Sequence, residues 1–327
     1  DTMIQSIYNR VQEEGIVPVV EIEDVNQSVS LATALLKGGI HCVEITFRTK
    51  QAANAIKLIK ERYPDMLVAA GTVLSIEQVD EAVKAGADFI VSPGFNETVV
   101  HYCMEHKINI IPGCSCPSDL EKAISLRLSV VKFFPAEAAG GINAIKAMAA
   151  PYRTLSFMPT GGINLDNLNN YLSFDRVIAC GGSWIASKDL LRHNAFDEIE
   201  KNAREAVHKM IGFELAHVGI NAQDVQEARS IANFFEQIFG FTAKENPSSI
   251  FSDSYVETLK SPYLGKKGHI AIAVNSVERA KAYLINKGIL FNEESTVIRD
   301  DGKIQAVYFK DQIGGFAIHL VRNSNLR

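Results

Sequence analysis

Eight short apolar runs recur along the first 182 residues, their starts 20 to 26 residues apart, and this rhythm constrains the fold more than any other feature. The runs are Val17–Ile22, Cys42–Phe47, Leu67–Val73, Phe89–Gly94, Asn109–Cys114, Val130–Pro135, Ser156–Gly161 and Arg176–Gly182. Stretches with helical spacing lie between them, such as Val29–Lys37 and Ser75–Ala85. Short apolar runs alternating with helices predict a parallel sheet covered on both faces. Eight such units predict a (β/α)8 barrel rather than an open sheet. Gly38, Gly39 and Gly86 fit the left-handed position that follows a helix. Residues 3–14 carry Ile4, Ile7, Tyr8 and Val11 at helical spacing, which predicts an amphipathic helix closing one end of the barrel.

In such a barrel, chemistry sits at the C-terminal ends of the strands. The most telling run there is Val130-Val131-Lys132-Phe133-Phe134-Pro135-Ala136-Glu137. It reads as a buried strand with one lysine in its middle. Burying an unpartnered ammonium is costly, and the usual outcome is a lowered pKa. A lysine that is partly free amine can form a Schiff base with a carbonyl compound. The alternative is a lysine at a strand end that reaches solvent or an ion pair.

The second run alternates Glu44, Thr46 and Arg48 with Val43, Ile45 and Phe47, so period two puts the polar groups on one face. The outer face must meet apolar helices, so the polar face is expected to point inward. The last two runs end Pro159-Thr160-Gly161-Gly162 and Cys180-Gly181-Gly182-Ser183. Paired glycines let backbone N–H groups approach an anion, and barrels often bind phosphate after strands seven and eight. Together these groups suggest that Lys132 attacks the ketone of a 2-oxo acid while Arg48 and Thr72 hold its carboxylate. Glu44 would shuttle protons, and Phe134 and Pro93 would keep the site partly dry.

Composition removes other classes. A net charge of −5 with no Lys/Arg-rich run argues against nucleic acid as a partner. No window approaches 18 consecutive apolar residues, and no signal-peptide pattern opens the chain, so no membrane partner is expected. Five scattered cysteines favour reduced thiols and a cytoplasmic protein.

Residues 1 to about 212 resemble the 2-keto-3-deoxy-6-phosphogluconate (KDPG) and 4-hydroxy-2-oxoglutarate aldolase family. The resemblance rests on Val17-Pro18-Val19, Val43-Glu44-Ile45-Thr46-Phe47-Arg48-Thr49, Gly71-Thr72-Val73-Leu74, Ser92-Pro93-Gly94 and Ile111-Pro112-Gly113. It continues through Lys132-Phe133-Phe134-Pro135-Ala136-Glu137, Pro159-Thr160-Gly161-Gly162-Ile163 and Gly181-Gly182-Ser183-Trp184. The resemblance implies a class I aldolase without a cofactor, with Lys132 as Schiff-base lysine and Glu44 as acid/base. It places Arg48 and Thr72 on the substrate carboxylate, Pro93 and Phe134 against the substrate, and Thr160, Gly161, Gly162, Gly182 and Ser183 around a phosphate. It also implies a homotrimer. The chain departs from the pattern at Cys116, where relatives carry threonine, and at Glu21, an additional carboxylate. Oxaloacetate decarboxylation is an expected side activity, because the same iminium accepts electrons from a departing carboxylate.

After Gly212 the rhythm changes. The strand Leu215–Ile220, the helix Val225–Phe239 and short strands at Ser249–Phe251 and Tyr255–Lys260 make one cycle. The strand His269–Val274, the helix Val277–Lys287 and strands around Thr296–Arg299, Ile304–Phe309 and Phe316–Arg322 make a second. Two β-α-β-β-β cycles predict an α+β domain built on an internal repeat, spanning 213–327 after an aldolase domain of 1–212. It resembles the vicinal-oxygen-chelate superfamily, which includes glyoxalase I and the extradiol dioxygenases. That resemblance implies a divalent metal held by His217, Glu257, His269 and His319, with His319 standing where metal-binding relatives usually carry glutamate. The module would run a metal-dependent step on a small oxo acid, sense a small molecule, or serve structure alone. A bifunctional enzyme with a glyoxalase- or dioxygenase-like second activity and a non-aldolase phosphate-binding barrel are the competing readings. The latter has no need of Glu44, Arg48 and Lys132 together.

Overall fold

The computed structural model describes residues 2–324, with side chains from residue 7 onward, so the side chain of Ile4 lies outside the described residues. The chain divides into two compact units, Asp1–Met210 and Ile211–Arg327.

The first unit is mixed α/β. Its strands are β1 (Ile16–Val20), β2 (Cys42–Thr46), β3 (Leu67–Gly71), β4 (Phe89–Val91), β5 (Ile110–Ile111), β6 (Gly113–Cys114), β7 (Val130–Phe133), β8 (Ser156–Pro159) and β9 (Cys180–Gly182). The helices are α1 (Thr2–Glu14), α2 (Ser28–Lys37), α3 (Ala52–Arg62), α4 (Ile76–Ala85), α5 (Glu97–Glu105), α6 (Pro117–Ser125), α7 (Gly141–Ala149), α8 (Leu168–Leu172), α9 (Lys188–Arg192) and α10 (Phe196–Ile211). Strands pair in parallel as a curled six-stranded sheet, β5-β4-β3-β2-β1-β9, and a three-stranded sheet, β6-β7-β8.

All eight apolar runs contain a strand, but the ladder is interrupted twice. The fifth run splits at Pro112, which has no N–H to give, although its carbonyl accepts from Lys132 N–H at 2.9 Å. The eighth run is a strand only over Cys180–Gly182, joined to the β8 run by isolated parallel bridges Phe157↔Val177 and Thr160↔Gly181.

Helix α1 follows from its spacing. Ile7, Tyr8 and Val11 pack in one cluster with Val17, Cys42, Leu67 and Phe89, which open the first four strands or lie next to their starts. It therefore covers the N-terminal ends and leaves the C-terminal ends for chemistry. The glycine expectations divide. Gly39 (φ 96°) and Gly86 (φ 100°) are left-handed, but Gly38 has φ −75°. Gly38 is small for another reason: a Cβ there would lie 2.4 Å from that of Ala203 on α10.

Among the described residues, the second unit is one eight-stranded sheet with two helices. Its elements are β10 (Glu214–Asn221), α11 (Val225–Phe239), β11 (Ala243–Glu245), β12 (Ser249–Ser252), β13 (Val256–Leu259), β14 (His269–Val274), α12 (Val277–Asn286), β15 (Phe291–Ile298), β16 (Ile304–Phe309) and β17 (Ala317–Arg322). The strand order is β11-β12-β13-β10-β14-β17-β16-β15, so the two β-α-β-β-β cycles lie side by side and meet at β10 and β14. Strand β11 is fully exposed and carries no apolar alternation, which is why its sequence does not announce it. Ala228 and Ala232 of α11 pack with Ala222 and Ile250. Among the described residues no helix is long and apolar enough to cross a membrane.

Candidate active site

Strand β2 is buried along its whole length, and Glu44 sits at its centre with 0% exposure. Strand β7 is equally buried and carries Lys132, 4% exposed. Curling of the sheets brings these side chains together: Lys132 Nζ lies 3.9 Å from Glu44 Oε1. That is within ion-pair range but longer than a hydrogen bond, and neither Glu44 oxygen has a hydrogen-bond partner. A buried carboxylate with both oxygens unpartnered is expensive as plain structure and suited to moving protons at a reacting group. Gly71 makes the approach possible, because a Cβ there would meet Glu44 Oε1 at 2.0 Å. The Phe134 ring lies 4.9 Å from Lys132 Nζ and shields it on one side.

Arg48 follows β2 and Thr72 follows β3. Arg48 Nε donates to Thr72 Oγ1 at 3.3 Å. Thr72 takes φ 53°, an uncommon conformation for a β-branched residue, of the kind that concentrates at functional sites. The loops after β4 and within the fifth run touch backbone to backbone: a Cβ on Gly113 would meet the Pro93 carbonyl at 2.0 Å.

One glycine pair follows β8 and the other lies in β9, beside each other through the Thr160↔Gly181 bridge. Gly161 (φ 108°) and Gly162 (φ 78°) both need the left-handed region, which explains glycine at each. The segment after β7 folds onto them, with Ala136 N–H donating to Thr160 O at 2.8 Å and Glu137 N–H to Gly161 O at 3.0 Å. These bonds tie the end of the lysine strand to the glycine turn. Gly181 and Gly182 are glycines for close packing, since Cβ atoms would lie 2.3 Å from Thr160 Oγ1 and 1.9 Å from the Trp184 ring. Thr160 Oγ1 is buried without a partner, and Ser183 is exposed.

Three features gave no signal in the sequence. Lys188, which opens α9, pairs with Glu21 Oε1 at 2.9 Å, and Glu21 Oε2 lies 3.9 Å from Arg48 Nη1. Tyr171 on α8 hydrogen-bonds Glu137. Ser249 donates to Glu257 at 2.7 Å in the second unit. Each pairs residues far apart in the chain or joins neutral to charged groups, which no local spacing reports. All five cysteines are free, and only Cys116 is exposed.

In the second unit, sheet register assembles a second cluster. Gly219 on β10 lies opposite Glu257 on β13 and His269 on β14. One pleat away on the same face, His217 lies opposite Ala271, and Ala271 opposite His319 on β17. Gly219 leaves room for the His269 ring, which a Cβ would meet at 1.9 Å. His217 Nε2 is 3.1 Å from His269 Nε2, and each is 3.2 Å from Glu257 Oε2. Donor atoms of His217, His269 and His319 all lie within 4.8 Å of one another. Burial raises the Glu257 carboxyl, but hydrogen bonds from His217, His269 and Ser249 outweigh it and hold the group far below the usual range. Burial, with the two neighbouring imidazoles, pushes His319 down to about 3. His319 stacks on Tyr308 with ring centroids 4.5 Å apart.

Comparison with known proteins bears on the first unit. The family described as KDPG and KHG aldolase matches residues 7–202. A 2-dehydro-3-deoxy-phosphogluconate aldolase of Haemophilus influenzae is 45% identical over 203 residues, 62% of this chain and 96% of that protein. The KHG/KDPG aldolase of Escherichia coli K12 is 42% identical over 192 residues, 59% of this chain and 90% of that protein. A Legionella pneumophila KDPG aldolase, solved with pyruvate captured as a covalent carbinolamine intermediate, superposes with a TM-score of 0.59 at 35% identity. It covers 61% of this chain and 97% of that one.

Proposed function

The chain belongs to the KDPG and KHG aldolase family through residues 7–202, and from that premise we propose that it is a Schiff-base aldolase releasing pyruvate from a 4-hydroxy-2-oxo acid. The substrates are 2-dehydro-3-deoxy-6-phosphogluconate, cleaved to pyruvate and glyceraldehyde 3-phosphate, and 4-hydroxy-2-oxoglutarate, cleaved to pyruvate and glyoxylate. The observation that carries the reading is the buried pair of Lys132 Nζ and Glu44 Oε1, 3.9 Å apart.

The chemistry follows from those two groups. The amine of Lys132 gives up a proton and adds to C2, and loss of water leaves an iminium, with Glu44 relaying the protons. Glu44 then takes the proton of the C4 hydroxyl. The C3–C4 bond breaks, its electron pair enters the iminium, and the aldehyde leaves. Protonation of the resulting enamine at C3 and hydrolysis release pyruvate and the amine. Arg48 and Thr72 hold the carboxylate of the 2-oxo acid. Pro93 and Phe134 limit water, and Thr160, Gly161, Gly162, Gly182 and Ser183 surround the distal phosphate. Borohydride reduction in the presence of pyruvate, followed by peptide mapping, tests this. Label on Lys132 is expected; label elsewhere, or none, refutes the mechanism.

The same reading extends to architecture. The bridges between β8 and β9 and the bond from Lys132 to Pro112 support a (β/α)8 barrel closed through its two irregular joints. It assigns 1–212 to the aldolase and 213–327 to a vicinal-oxygen-chelate module, in a cytoplasmic homotrimer whose mass light scattering would establish. Oxaloacetate decarboxylation belongs to it as a side activity.

For the second unit the reading is a divalent metal site held by His217, Glu257, His269 and His319. Separations of 3.1 to 3.2 Å among the donor atoms of His217, His269 and Glu257 suit it, with His319 within 4.8 Å of the other two imidazoles, since ligands about 2.1 Å from one ion lie roughly 3.0 to 3.4 Å apart. His269 Nδ1 and both His319 nitrogens are buried without hydrogen-bond partners, and three imidazoles with one carboxylate suit zinc, nickel, iron or manganese. A metal there supplies a Lewis acid for a small oxo acid. A stoichiometric ion in protein purified without chelator, lost on His217→Ala and His269→Ala, is expected; protein free of metal makes the unit a binding or structural module.

A further inference from the structure

The ends of β9, β1 and β2 are neighbours in the sheet, and each is followed by a charged residue, the carboxylate after β1 meeting both of the cations. Glu21 follows β1, Arg48 follows β2 and Lys188 follows β9. The Glu21 side chain is mostly buried, whereas both cations are half exposed. Its Oε1 forms an ion pair with Lys188 Nζ at 2.9 Å, while Oε2 stands 3.9 Å from Arg48 Nη1, at the outer edge of ion-pair range and beyond hydrogen-bond range. Arg48 is fixed on its other side by the 3.3 Å bond from Nε to Thr72 Oγ1. The next carboxylate along the chain, Glu23, pairs with Arg192 at 3.2 Å, so Lys188 is matched to Glu21.

A carboxylate beside Arg48 is the same chemical ligand as the carboxylate of a 2-oxo acid. Left without a partner, Glu21 would close on the guanidinium as a charge-assisted pair and compete with the substrate from within the chain. Resting on the aldolase reading, we infer that Lys188 is a positioning residue: it holds Glu21 at the outer edge of ion-pair range, short of a hydrogen bond to Arg48, and so leaves the guanidinium N–H groups to the substrate carboxylate. Lys188 thereby acts on substrate affinity without touching the reacting atoms.

The test is a double-mutant cycle on the full chain, with steady-state kinetics on 4-hydroxy-2-oxoglutarate. Lys188→Met is expected to raise KM by about five- to twentyfold with kcat within about twofold, because only carboxylate binding is affected. Adding Glu21→Gln to Lys188→Met is expected to return KM to within about twofold of the parent. An unchanged KM in Lys188→Met overturns the inference. So does a KM that stays high in the double variant, which would mean that Lys188 touches the substrate itself. Borohydride labelling separates the two levels. Lys132 labelled with pyruvate but the wrong KM pattern overturns this inference alone, whereas no label on Lys132 overturns the aldolase reading and this inference with it.

Discussion

The substitution Gly71→Ala isolates the placement of Glu44 from its chemistry. Gly71 ends β3 opposite Thr46, and its φ lies outside the left-handed region, so alanine is acceptable to the backbone. The added Cβ would lie 2.0 Å from Glu44 Oε1, 2.7 Å from Cδ and 2.8 Å from Cγ. Ordinary contact begins at 3.4 Å, so the carboxylate must move by about 1.4 Å. The carboxylate is fully buried, so this movement carries it out of register with Lys132 Nζ, now 3.9 Å away. Overpacking of this size costs about 1 to 3 kcal/mol, which a domain of this length survives. Loss of positioned acid–base catalysis costs on the order of 10²- to 10⁴-fold in rate. Gly71→Ala is therefore expected to fold, to show a slightly lower melting temperature and to lose at least about a hundredfold in kcat. Borohydride labelling of Lys132 is expected to slow by a similar factor, because iminium formation needs the same proton relay. Melting curves, steady-state kinetics and labelling rates check the three parts. A folded variant with kcat within about threefold of the parent refutes the argument that Glu44 works from this position.

Other substitutions probe separate joints of the structure. In Gly162→Ala, the new Cβ meets Glu137 at 2.7 Å and the backbone is left-handed; KM for the phosphorylated substrate is expected to rise more than about tenfold while 4-hydroxy-2-oxoglutarate is little affected. Burial pushes Glu14 up to about 7 from the usual 4.5, partly offset by the N–H of His41 donating to it. A carboxyl raised on folding contributes fully below pH 4.5, and that contribution is lost as pH rises through 7. Glu14→Gln is thus expected to be more stable to denaturant than the parent at pH 8 but not at pH 4, by at most about 3 kcal/mol. Cys116 is the N-cap of α6 and makes no capping bond; Cys116→Thr is expected to add about 0.5 to 2 kcal/mol in denaturant titrations. Gly219→Ala drives a methyl into the His269 ring at 1.9 Å, and metal content measured by mass spectrometry is expected to fall below about a tenth of an ion per chain.

The eight apolar runs, their parity and the positions of Glu44, Arg48 and Lys132 were legible in the sequence because strand periodicity is local. Alternation along one strand decides which side chains share a face before any partner is known. The repeat after residue 212 was legible for the same reason, and β11 was missed because it is exposed and has no alternation to show. Local pattern placed Gly38 correctly at the end of α2 but not its conformation, which is right-handed; contact with Ala203, 165 residues along the chain, is what requires glycine there. Register lay beyond it altogether. The 3.9 Å gap between Lys132 and Glu44 depends on how the sheets curl, and the meeting of Glu257, His269 and His319 around His217 depends on how four strands align. The ion pair of Lys188 with Glu21 depends on β9 lying next to β1. What the sequence determined was therefore which residues face which way along each element. What the tertiary structure alone decided was distance, because distance is set by the packing of segments whose separation along the chain carries no record of their separation in space.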